Sequence, residues 1–73
     1  MNVYEYYERL MKHDWSYQYS DSHTVWERGD QERQCLERIA ERAEDKEAFK
    51  KLYADVKHYK LYGGPLPKIV SPT

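Results

Sequence analysis

Apolar residues recur at two different periods along the chain, and the change of period marks its elements. Val3, Tyr4, Tyr7, Leu10 and Met11 share one face at helical spacing, which predicts a helix over 3–13. Asn2 stands at the N-cap position with Glu5 three residues on, the reciprocal pairing of a capping box. A second stripe, Val25, Gly29, Leu36, Ile39, Ala40 and Ala43, predicts the longest helix over 22–43, capped by Ser20 or Asp21. Two residues disturb that stripe. Gly29 costs about 1 kcal/mol relative to alanine inside a helix, and Glu32 puts a charge among apolar neighbours. A bulky aromatic packed on Gly29, from the first helix or the connector, and a tyrosine hydroxyl or basic group paired with Glu32 would account for both. The alternative is a break, with Asp30 capping a new helix. The stripe keeps its phase across Gly29, which favours one continuous helix.

Phe49, Leu52, Val56 and Tyr59 step by three, four and three, a heptad-like seam that predicts a third helix over 46–62. Asp45 caps its start, Gly63 offers the left-handed position that ends helices, and Pro65 blocks continuation. The very short turn at Glu44-Asp45 makes the second and third helices an antiparallel hairpin, with the first closing the third side.

Between the first two helices the period falls to 2. Trp15, Tyr17 and Tyr19 alternate with polar residues, as in an extended segment with its three rings on one side. Residues 63–73 carry the three prolines and two of the three glycines and are expected to be an extended tail, lying beside the connector. The expectation is therefore an all-α, three-helix domain over 1–62, with an extended aromatic connector and an extended proline-containing tail.

Composition narrows the function classes. With 73 residues the chain buries only roughly 60 % of its unfolded surface, so its core is lean. Its single cysteine, Cys35, allows no internal disulfide and suits a reducing compartment. The N-terminal residues contain neither the basic start nor the apolar run of a secretory leader, and no apolar stretch approaches the ~20 residues that cross a bilayer. The expected location is the cytoplasm. Charged residues reach 34 % and mean hydropathy is −1.10, yet aromatics reach 15 %, which favours a folded domain over a disordered chain. The net charge is −1, but all five arginines precede residue 45 and six of seven lysines follow it. Such polarity suits attraction of a partner through either end, or head-to-tail pairing.

Eight tyrosines stand against one phenylalanine. A core has no need of so many hydroxyls. Tyrosine and tryptophan suit sites with one dry and one wet edge, and they supply contact area at low entropic cost. Core filling explains part of the set. A protein-binding surface made of Trp15, Tyr17, Tyr19, His23 and Trp26 is expected to use the rest. A second candidate surface is a basic stripe of Lys46, Lys50, Lys57 and Lys60, within roughly 80° of arc and with Tyr53 among them. Lysines on phosphates and a ring beneath a base would make it a nucleic-acid-binding face, although lysine stripes are more often solvated edges of an apolar seam. No helix-turn-helix, zinc-finger or RNP signature accompanies it.

Other chemistry has little to stand on. His13 with Asp14, and Asp21 with His23, flank the connector without the tight spacing of a zinc site, so no metal or other cofactor is expected. Cys35 lies beside an apolar stripe with no histidine predicted near it, and no phosphate loop, G-x-S-x-G or H-E-x-x-H is present. The chain is expected not to be an enzyme. It is expected to be a small cytosolic protein-protein interaction module, a regulator or inhibitor of the kind that phages and mobile elements encode in short chains. The alternatives are a nucleic-acid-binding regulator using helix 3 and a self-associating structural protein, monomer or homodimer, using the seam of helix 3.

Overall fold

A computed structural model describes residues 1–66. Three helices, α1 (Val3–Lys12), α2 (His23–Arg42) and α3 (Lys46–Tyr62), make up the fold, with a short 3-10 turn, Trp15–Tyr19, between α1 and α2. The all-α class and the order of helices agree with the periodicity. Their ends differ from it by at most one residue: α1 stops at Lys12, α2 runs from His23 to Arg42, and α3 occupies the expected span.

Caps account for the boundaries. Asn2 Oδ1 accepts the Glu5 amide at 2.8 Å, and Asp45 Oδ1 accepts the Ala48 amide at 3.2 Å. The start of α2 is capped by Ser22 rather than Ser20 or Asp21. Ser22 Oγ takes the Val25 amide, while the Ser20 amide donates to the Tyr17 carbonyl and so closes the preceding turn. Gly63 ends α3 at a φ of 83°, with its amide on the Tyr59 carbonyl at 2.9 Å.

α3 packs closely on both other helices and on the 3-10 turn. Partners pair in descending order between α2 and α3, Glu37 with Tyr53 and Ala40 near Lys50, so these two are antiparallel. Tyr6 and Arg9 of α1 meet Leu36 and Glu32 of α2 in the same antiparallel sense. The core draws on every element: Tyr6 and Leu10, Trp15, Leu36 and Ala40, and Phe49, Leu52 and Val56. The α3 seam offered to a dimer is thus consumed within one chain, since Phe49, Leu52 and Val56 are buried. Tyr6 links all three helices. Its ring stacks on Phe49 at 4.8 Å, and its hydroxyl donates to the Leu36 carbonyl at 2.8 Å.

The connector departs from the extended form. Asp14 Oδ1 accepts both the Ser16 amide at 3.0 Å and the Ser16 hydroxyl at 2.7 Å, a local turn that starts a 3-10 helix. At three residues per turn, side chains two apart diverge by about 240°. Trp15, Tyr17 and Tyr19 therefore point three ways, two into the protein and one out. An extended Pro-containing tail beside the connector falls largely on residues 67–73, outside the described residues; Gly63–Leu66 continue past α3 without helix. Among the described residues, no helix is long and apolar enough to cross a membrane.

Candidate functional site

The 3-10 turn and the first half of α2 form one aromatic corner. Trp15 is only 3 % exposed; its indole N–H donates to the Leu10 carbonyl at 2.9 Å and its ring meets Tyr53 edge-on at 5.3 Å. Tyr17, 6 % exposed, packs against Gly29 through its Cβ and Cγ. α2 is continuous there, and the glycine admits the ring: a Cβ at this position would sit 2.6 Å from Tyr17 Cδ2. The Tyr17 hydroxyl donates to Asp30 Oδ1 at 2.9 Å and accepts from Arg33 Nε at 3.2 Å. That hydrogen bond, ahead of the Arg33 contacts, holds the Asp30 carboxyl below its usual range.

Trp26 stands against this clamped ring, edge-on at 6.1 Å, and is 44 % exposed. Tyr19 is 71 % exposed, and His23 is exposed with Nε2 2.8 Å from Glu27. Of the five residues expected at a protein-binding surface, Tyr19, His23 and Trp26 face solvent, whereas Trp15 and Tyr17 lie beneath as supports. Periodicity alone placed all three connector rings together, because it assumed an extended chain. The Asp14-x-Ser16 spacing was the available signal for a turn. Asp30 and Arg33, which hold Tyr17, were not anticipated; their i, i+3 spacing on one helix was visible in the sequence.

Glu32 finds the basic partner expected for it. Arg9 donates from Nε to Glu32 Oε2 at 3.0 Å and from Nη2 to Oε1 at 2.8 Å, a bidentate bridge from α1 to α2. The same Nη2 lies 3.4 Å from Cys35 Sγ.

The lysine stripe of α3 lies largely on the surface, with Lys46, Lys50 and Lys60 exposed and Lys57 half-buried. Tyr53 is a packing element there: Trp15 meets its ring, Lys57 Nζ lies 5.9 Å over it, and its hydroxyl donates to Glu37 at 2.9 Å. Burial and the neighbouring Glu37 carboxylate push the Tyr53 hydroxyl pKa well above its ordinary value. No three His, Cys, Asp or Glu side chains gather into a metal-binding group among the described residues.

His13 is the one buried histidine. Its ring packs against Trp15 at 4.8 Å and Tyr17 at 5.7 Å, and Nε2 has no hydrogen-bond partner. Burial lowers its pKa below the ordinary 6.5, outweighing the opposing pull of Glu32 and Asp14. A folded pKa below the unfolded one means that the unfolded chain binds the proton first. The stabilisation is complete above pH 6.5 and declines as pH falls from there toward the folded pKa. Urea midpoints are expected to drop between pH 7.5 and pH 5, and His13→Phe, which keeps a ring, is expected to flatten that interval. An equally steep decline in the variant would assign the effect to other groups. Asp14 and Asp30, whose pKa values are lowered, act in a separate window, below the ordinary carboxylate value of 3.8.

Compared with known proteins, the chain matches no family model, no curated protein and no solved structure.

Proposed function

We propose that the protein is a small cytoplasmic binding module, a regulator or inhibitor that acts by contacting another protein through Tyr19, His23 and Trp26. The observation that carries this reading is the half-exposed Trp26 held against Tyr17, which Asp30 and Arg33 fix from its far end. An indole packed on a fixed ring loses less entropy on contact than a free one, and tryptophan and tyrosine recur as anchors at the centres of interfaces. Large exposed rings on a surface that needs none for folding support the same reading.

Trp26→Ala separates binding from folding. Its helical circular dichroism and melting midpoint are expected to stay close to wild type, because Trp26 lies outside the buried cluster. A protein recovered from host extract on immobilised wild type is expected to be absent from the Trp26→Ala column, a loss of at least ~2 kcal/mol for an anchor residue. Equal recovery on both columns would remove Trp26 from any interface.

A further inference from the structure

We infer that the seam between α1 and α2 is a groove for a helix supplied by a partner, amphipathic and seated over about three turns, with acidic residues along one flank and basic residues along the other. The inference extends the protein-binding reading to a second face, beside the aromatic corner.

α1 and α2 are joined chiefly by long side chains, the Tyr6 hydroxyl on Leu36 and the Arg9–Glu32 bridge, whereas α3 packs closely on both. The outer side of the seam is consequently open. Two hollows follow it in line. One of about 660 Å³ lies between α1 and the first half of α2, and one of about 950 Å³ lies between the start of α1 and the end of α2. Met1 borders both, and the Arg9–Glu32 bridge marks the middle of the run. α1 is ten residues, about 15 Å at 1.5 Å per residue, so the two walls of the seam face each other over about three helical turns.

The floor is apolar on the α2 side. Val25, Ile39 and Ala43 fall within about 40° of arc, and Phe49 closes the lower hollow beneath them. Arg28, Arg38 and Arg42 flank this strip within about 80°, and none of them makes an ion pair among the described residues. The opposite rim, on α1, carries Glu5 and Glu8. Lys12 and Asp14 lie together at the upper end, and Glu44 and Asp45 at the lower; Asp45 is committed to the Ala48 amide. A basic rim on α2 along both hollows, with an acidic rim on α1 along the upper one, selects a helix with one acidic and one basic flank. The mid-groove bridge calls for a small residue at the centre of that helix.

Two synthetic helical peptides test this, sharing one apolar stripe. One carries glutamate on one flank and lysine on the other; its companion carries lysine on both. Wild type is expected to bind the mixed peptide about tenfold more tightly by fluorescence anisotropy. Arg38→Glu with Arg42→Glu, both exposed positions, is expected to reverse the preference with unchanged helical circular dichroism. Failure of both peptides at millimolar concentration, or the same preference in wild type and variant, would overturn the groove. So would a doubled mass in sedimentation without peptide that the double substitution abolishes, since a second copy would then be the occupant. Trp26→Ala is expected to leave peptide binding unchanged, so failure here leaves the aromatic surface standing or falling on its own test.

Discussion

Tyr6→Ala is expected to lose about 4–6 kcal/mol of stability. Tyr6 is fully buried between α1, α2 and α3, with its ring on Phe49 and its hydroxyl on the Leu36 carbonyl. Truncating a large buried ring costs about 3–5 kcal/mol when the surroundings cannot close the space. The gap between α1 and α2 is held open by the Arg9–Glu32 bridge and by α3, so closure is obstructed. The lost hydrogen bond adds about 1 kcal/mol. At ~0.05–0.15 kcal/mol per residue, a 73-residue chain has about 4–11 kcal/mol in total, much of which this one change removes. Tyr6→Phe separates the two contributions: it keeps the stacking and is expected to cost only about 1 kcal/mol. Urea titrations followed by circular dichroism measure both. A Tyr6→Ala protein less than about 1 kcal/mol below wild type would mean that the ring does not span the helices as described.

Gly29→Ala carries the second-largest effect, and its sign is the informative part. At an exposed mid-helix site the change would stabilise by about 1 kcal/mol. Here the added methyl meets the Tyr17 ring, which has nowhere to withdraw: Asp30 and Arg33 hold its hydroxyl and Trp26 and His13 border it. Overpacking of this kind costs about 1–3 kcal/mol, so a net loss is expected. Removing the whole Tyr17 side chain should invert the outcome. In a Tyr17→Gly background, which removes Tyr17 Cβ as well as the ring, Gly29→Ala is expected to stabilise by helix propensity alone, giving a double-mutant cycle with a large coupling. Additive effects would dissolve the proposed ring-on-glycine contact. The same substitution moves the support from under Trp26, so partner binding should weaken with stability.

Much of this fold was legible because helices announce themselves locally. Asn2, Asp45 and Gly63 each act as their positions suggest, since a cap depends on residues within one turn of it. Phase across Gly29 also survived, and with it the expectation that an aromatic covers the glycine and a basic group meets Glu32. The connector was not legible from alternation. A period of 2 over five residues is also produced by a 3-10 turn whose rings point three ways, and Asp14 with Ser16 decides between them. That single change moved Trp15 and Tyr17 from the surface to its foundations.

Local sequence, then, determined the three helices, their caps, their order and the need for rings in place of scarce aliphatic residues. Those outcomes follow from backbone hydrogen bonding and helical periodicity, both short-range. Tertiary structure alone decided which rings remain in solvent, that Arg9 rather than another cation meets Glu32, and that α1 and α2 stand apart with arginines along one rim. Each of these depends on which side chains distant in the chain reach the same space, a property that packing geometry sets and no local pattern encodes.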